Sequence, residues 1–134
     1  MRRCFIDTCV LIWIFEEQKR VNRIIYDMEY YQREFFISME SVSELVYLIQ
    51  YGKLSAKFTI TKMLNDLKQL NLKILDFDYK SLEVLKNLPF FKQHPDPTDR
   101  KIIAHAIANK CTLISSDRNF PLYESYGLKY IDVW

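Results

Sequence analysis

Four acids of this 134-residue chain stand where apolar and polar residues meet: Asp7, Glu44, Asp99 and Asp117. Carboxylates brought together without lysine or arginine partners repel one another and titrate as a coupled set. A hard divalent cation, Mg²⁺ or Mn²⁺, resolves that repulsion. It takes carboxylate and water oxygens and activates one of its waters against a phosphodiester. With two such ions, the attacking and leaving oxygens of the displacement are both stabilised. The chemistry on offer is metal-assisted hydrolysis, provided the fold makes the four acids converge.

Each acid also has an ordinary structural reading. Asp7-Thr8 makes a good helix N-cap, although a charge at the mouth of a buried strand is costly without a cation. In Asp96-Pro97-Thr98-Asp99, Asp96 fits the N-cap, Pro97 the first helical position and Asp99 the acidic third position of a capping box. Asp99, however, shares its helix face with Ile102, Ile103 and Ala106, which points it coreward. Asp96 is therefore assigned to capping and Asp99 to the site. Glu44 lies on a mixed helix face and reads equally as a boundary residue. Asp117 closes Leu113-Ile114-Ser115-Ser116 and would be ordinary in an Asx-turn. Asp78 reads as a helix cap, Asp76 ends a strand, and Glu16-Glu17 reads as a solvated helix end.

The elements that must position these acids alternate between β-rich and helical patterns, as in an α/β domain with a mostly parallel sheet. Strands are predicted over Arg3 to Ile6, Glu34 to Ile37, Lys73 to Leu75, Cys111 to Ser115 and Leu128 to Ile131. Helices are predicted over Val10 to Glu17, Val21 to Gln32, Met39 to Tyr51, Ala56 to Leu70, Tyr79 to Leu88 and Pro97 to Asn109, with a helical turn near Pro121 to Ser125. In parallel βα units each strand ends, and each returning helix starts, at the carboxyl edge of the sheet. Asp7 and Asp117 follow the first and fourth strands, Asp99 opens the helix returning to the fourth, and Glu44 lies in the second turn of the helix leaving the second. All four can reach one rim.

Composition excludes several alternatives. At 49% hydrophobic and 27% charged, residues 1–134 read as one globular domain with a single sizeable core. The two glycines, Gly52 and Gly127, are 75 positions apart, too far for a P-loop or a dinucleotide fingerprint. The seven-residue apolar run from Cys9 to Phe15 falls short of the roughly 20 residues of a membrane span. Arg2 and Arg3 before an apolar stretch suggest a secretory signal, but Asp7 interrupts it and no small-residue cleavage site follows. A soluble, cytoplasmic protein without membrane contact is expected. Cys4, Cys9 and Cys111 form no C-x-x-C pair, and Cys4 and Cys111 read as small buried residues. His94 and His105 lack ligand-spaced partners, so any metal is expected to be held by oxygen. The net charge is +2, but setting the four acids aside leaves 13 Asp and Glu against 19 Lys and Arg, a formal +6. That surplus is suited to holding a polyanion beside an acidic centre.

Taken in order, Asp7-Thr8-Cys9-Val10-Leu11, Glu44, Asp96-Pro97-Thr98-Asp99-Arg100 and Ser115-Ser116-Asp117-Arg118-Asn119-Phe120 resemble PIN-domain ribonucleases, particularly VapC-like toxins of toxin-antitoxin pairs. The resemblance spans the whole chain. It implies a three-layer α/β/α sandwich around a mainly parallel five-stranded sheet of order 3-2-1-4-5, with Asp7, Glu44, Asp99 and Asp117 as the metal-binding, catalytic quartet. Asp7 would be the central ligand, Asp99 and Asp117 would complete the metal sites, and Glu44 would bind a metal or orient its water. Thr8 and Ser115 match hydroxyl positions that steady the carboxylates. Arg100 matches a recurrent basic neighbour without an obvious role, and Thr98 replaces a frequent aromatic. The fourth acid varies in the family, so loss of Asp117 would weaken activity more than abolish it.

The same resemblance implies Mg²⁺- or Mn²⁺-dependent endoribonuclease activity on tRNA or ribosomal RNA, a small cognate antitoxin and a homodimer. Trp13, Phe15, Tyr26, Tyr30 and Tyr31 are available as interface anchors, although burial is the commoner fate of such residues. Lys53, Lys57 and Lys62 are suited to RNA backbone contact without a base code. Two other readings compete. A phospho-receiver domain would use Asp76 after the third strand, but the first strand supplies one acid where receivers carry a pair. A non-catalytic RNA-binding adaptor would retain the fold but gain nothing from a repulsive acidic rim.

Overall fold

In the computed structural model, residues 3–16, 19–23, 26, 34–55, 58–94 and 96–132 are described. Five strands, β1 (Arg3–Ile6), β2 (Glu34–Ser38), β3 (Lys73–Leu75), β4 (Thr112–Ser115) and β5 (Lys129–Asp132), form one sheet. Their order is β3-β2-β1-β4-β5 and every neighbouring pair is parallel. This is the predicted 3-2-1-4-5 arrangement.

Alternation along the central strands divides the core into two. Cys4 and Ile6 of β1, Phe35 and Ile37 of β2 and Ile114 of β4 face one cluster, which is completed by helices α1 (Thr8–Phe15), α2 (Met39–Gln50) and α3 (Ile60–Gln69) through Val10, Leu11, Val42, Leu45, Met63 and Leu67. Phe5, Phe36 and Leu113 face the other cluster. There α4 (Tyr79–Asn87), α5 (Pro97–Ala108) and the 3₁₀ segment Phe120–Tyr126 pack through Leu85, Ile102, Ile103, Ala106, Phe120 and Tyr123. Helices therefore cover both faces, as an all-parallel sheet requires.

Helix starts follow their caps. Asp7 accepts the Thr8 N–H, so α1 begins two residues before its apolar periodicity suggests. Thr59 caps α3, which moves its start from the predicted Ala56 to Ile60. Asp78 and Asp96 cap α4 and α5 as expected. Most of the predicted helix over Val21 to Gln32 lies outside the described residues, as do Tyr30, Tyr31 and Lys57. Trp13 and Phe15 pack against the first cluster, whereas Tyr26 is 55% exposed. Lys53 lies over the Tyr47 ring and Lys62 pairs with Asp66 at 2.7 Å. Cys4 and Cys111 are buried, as expected, and Cys9 is half-buried. Among the described residues, no helix is long and apolar enough to cross a membrane.

Candidate active site

The central strand β1 delivers Asp7 into the carboxyl rim of the sheet, where it is buried. Its Oδ1 accepts the Thr8 N–H at 2.9 Å, and its Oδ2 accepts the Ser115 hydroxyl at 2.7 Å and the Cys9 thiol at 3.4 Å. Burial raises the Asp7 pKa. The bonds from Ser115, Thr8 and Cys9 oppose that rise, and Asp117 adds to it. Cys9 is itself pushed up to about 11 by burial and by Asp7, so it stays a protonated donor and not a nucleophile.

Glu44 reaches the rim from α2. The Thr8 hydroxyl donates to its Oε2 at 3.2 Å, joining Glu44 to the residue after Asp7. Burial raises the Glu44 pKa, against the Thr8 bond and with the charges of Asp7 and Asp96. Beside it opens a groove of about 480 Å³ lined in part by Tyr47, Leu48, Asp96 and Thr98.

Asp99 is brought in by the first turn of α5, whose cap Asp96 accepts the Asp99 N–H at 3.0 Å. Its neighbours at three, four and seven positions, Ile102, Ile103 and Ala106, are fully buried, which seats the helix so that Asp99 faces the rim. Burial pushes the Asp99 carboxyl up to about 8, and Asp7, Asp96, Glu44 and Asp117 all push in the same direction. Asp117 follows β4 in a turn. Its N–H donates to the Ser115 hydroxyl oxygen at 3.1 Å, and its Oδ1 accepts the Asn119 N–H at 2.9 Å, an Asx-turn. For Asp7, Asp96 and Asp117 the ordinary structural reading is correct and coexists with convergence on the rim.

The structure corrects one expectation. His94, read as lacking ligand-spaced partners, is 3% exposed. Its Nε2 lies 3.1 Å from Asp117 Oδ2 and 3.4 Å from Asp99 Oδ2. Rules of local spacing fail here because the partners lie 5 and 23 residues further along and meet only through the fold. The available signal is proximity, since His94 lies two residues before the cap that aims Asp99. His105 meets the expectation, because it bonds Ser38 at 2.8 Å and packs on Phe5 and Phe77 away from these acids.

Arg100 acquires a role that the sequence alone did not supply. Nearly buried, it donates to the backbone oxygens of Pro89 at 2.6 Å and Leu88 at 3.4 Å and stacks 4.1 Å over the Phe90 ring. It thereby fastens the segment after α4 to the helix that carries Asp99.

The donor set suits a divalent cation. Among the described residues, no lysine or arginine pairs with Asp7, Glu44, Asp99 or Asp117, and three of the four carboxyls are held above their ordinary pKa. Such a cluster is relieved by a positive ion taking oxygen ligands. Asp76 is exposed after β3 at the sheet edge. Receiver domains have the order 2-1-3-4-5, so here Asp76 does not occupy their central position.

Comparison with known proteins agrees with this architecture. No curated protein sequence matches the chain. Among solved structures, FitAcB from Neisseria gonorrhoeae superposes with a TM-score of 0.71 at 17% identity, covering 98% of each chain. A toxin-antitoxin complex from Klebsiella pneumoniae gives 0.70 at 16% identity, also covering 98% of each. VapBC2 from Rickettsia felis, bound to a promoter DNA fragment, gives 0.69 at 18% identity, covering 97% of this chain and 98% of that one. At these identities the likeness is one of fold. The model of the PIN domain matches residues 4–125, nearly the whole span from β1 through the 3₁₀ segment, and the chain belongs to the PIN-domain family.

Proposed function

We propose that this protein is the toxin of a VapC-like toxin-antitoxin pair, a Mg²⁺- or Mn²⁺-dependent endoribonuclease that cleaves structured RNA of the tRNA or ribosomal RNA class. The observation that carries the proposal is the convergence of Asp7, Glu44, Asp99 and Asp117 on one rim with no lysine or arginine pairing to them among the described residues. Asp7, Asp99 and Asp117 would hold the ion, with Glu44 beside them. When bound, the ion supplies Lewis-acid stabilisation of charge on the phosphodiester and an activated water.

The chain's own residues prepare that chemistry. Ser115 and the Thr8 N–H fix both oxygens of Asp7, so this carboxylate needs little reorganisation to serve as a ligand. Thr8 orients Glu44, whose raised pKa brings it nearer to neutral pH and suits it to accept a proton from the attacking water. The Klebsiella pneumoniae structure is of a toxin-antitoxin complex and the Rickettsia felis structure is of VapBC2, which supports a small protein antitoxin as a partner of this chain; a homodimeric toxin and a cytoplasmic setting belong to the same proposal.

The test is cleavage of bulk tRNA and ribosomal RNA by the antitoxin-free protein in Mg²⁺ or Mn²⁺ against EDTA, beside Asp7→Asn and Asp99→Asn. Discrete fragments that require metal and vanish in both near-isosteric variants are expected. Folded, metal-bound protein that cuts neither RNA returns the adaptor reading, and cleavage insensitive to both variants places the activity elsewhere.

A further inference from the structure

We propose that His94 is a nitrogen ligand of the metal held by Asp99 and Asp117, and that it biases the centre toward Mn²⁺ over Mg²⁺. The inference rests on the acidic centre proposed above and adds to it a residue outside the carboxylate set.

Geometry is the first argument. His94 Nε2 and one oxygen each of Asp99 and Asp117 lie within 4.8 Å of one another, with Nε2 at 3.1 Å and 3.4 Å from the two oxygens. Two donors about 2.1 Å from one ion and at right angles are separated by about 3 Å, so the triad needs little rearrangement to close on a cation.

The imidazole is also held as a ligating imidazole is usually held. Nδ1 is 2.8 Å from the Tyr123 hydroxyl, and the ring meets Phe120 and Tyr123 edge to face. A phenol accepts or donates by rotation. When Nδ1 carries the proton and Tyr123 accepts it, Nε2 turns a lone pair toward the carboxylates, the tautomer that metal binding requires. The segment is anchored from both sides, because His94 N–H donates to Phe91 O at 3.1 Å and Asn119 Nδ2 donates to Gln93 O at 3.1 Å.

Ligand chemistry then sets the preference. Mg²⁺ favours oxygen and sheds water reluctantly, and imidazole suits the later divalent metals; Mn²⁺, though it also favours oxygen, takes a nitrogen donor more readily than Mg²⁺ does. The imidazole is buried and aimed at two of the acids, where it can give the ion a nitrogen donor beside their oxygens.

The test uses the untagged full chain loaded with Mn²⁺. Pulsed electron paramagnetic resonance should detect a directly coordinated nitrogen whose modulation changes when the protein is labelled with ¹⁵N-histidine. The chain has two histidines, and His105 is bonded to Ser38, so the signal is assignable without any substitution. In His94→Gln, which offers an amide oxygen in place of nitrogen, the coupling should vanish. The Mn²⁺ Kd should rise at least about tenfold while the Mg²⁺ Kd changes by less. Mn²⁺ bound without nitrogen coupling overturns the proposal and leaves the carboxylate centre standing, with His94 only a donor to its acids. No Mn²⁺ binding by the folded chain overturns both.

Discussion

The Ser115 hydroxyl joins two acids 110 residues apart: it donates to Asp7 Oδ2 at 2.7 Å while its oxygen accepts the Asp117 N–H at 3.1 Å. One side chain on β4 thus sets both the carboxylate after β1 and the turn that aims the carboxylate after β4. Its bond to the charged form of Asp7 is the largest influence holding that pKa down against burial.

Ser115→Ala should therefore raise the Asp7 pKa further and weaken metal binding. Removing a partner from a buried polar group costs about 1–3 kcal/mol, and loss of a residue supporting a ligand typically costs about 10–100-fold in metal affinity or activity. Urea denaturation and metal titration check both. Unchanged Mg²⁺ and Mn²⁺ affinities in a folded variant would show that Asp7 does not depend on this hydroxyl.

Thr8 plays the corresponding part for Glu44, and Thr8→Val removes the 3.2 Å donor while keeping the shape. Glu44 is only half-buried and can recruit water in its place, so stability should change by no more than about 1 kcal/mol. The Glu44 pKa should rise, because the lost bond favoured the charged form. RNA cleavage should fall several-fold at neutral pH, and the rate should recover as pH increases. A pH profile unchanged from the parent would remove Thr8 from the centre.

Asp99 makes the metal-free protein sensitive to pH. Its folded pKa, about 8, lies above its ordinary value of 3.8, so the folded chain binds the proton more tightly than the unfolded chain. The resulting stabilisation is full below about pH 4 and is lost as pH rises through about 8. In EDTA, the Tm should fall across that window more steeply for the parent than for Asp99→Asn, and added Mg²⁺ or Mn²⁺ should raise the parent's Tm at pH 8 by binding the folded state. Parallel Tm curves in EDTA would contradict the elevated pKa.

How much of this was readable from the residues follows from what each depends on. The sheet order entered with the family resemblance, and parallel topology alone was enough to bring Asp7, Asp99 and Asp117 to one rim, because a strand end and a returning helix start share that edge. The facing of Asp99 followed from the 3.6-residue period through Ile102, Ile103 and Ala106. Helix starts were displaced where a cap outweighed apolar periodicity, as at Asp7 and Thr59. His94 and Arg100 were not readable, because His94 itself lies in the loop before α5 and meets Asp117 in a turn, while Arg100 bonds the segment after α4. The turn at Asp117 and the Leu88 to Phe90 segment have no period from which contacts can be projected.

Arg100 supports the last prediction, which concerns the fold more than the chemistry. Its guanidinium satisfies two carbonyls of the loop after α4 and lies 4.1 Å over Phe90, a ring otherwise 82% exposed. Hydrogen bonds from a charged donor contribute about 1.5–3 kcal/mol, and a cation over an exposed aromatic adds about 0.5–1 kcal/mol. Arg100→Met, which keeps the length but donates nothing, should cost about 2–4 kcal/mol in urea denaturation. Arg100→Lys should fall between it and the parent, since an ammonium lacks the planar fork that serves both carbonyls. The same loop leads into His94, so Arg100→Met should also weaken Mn²⁺ binding more than Mg²⁺ binding. A variant as stable as the parent would mean that Leu88 and Pro89 find water as good a partner as Arg100.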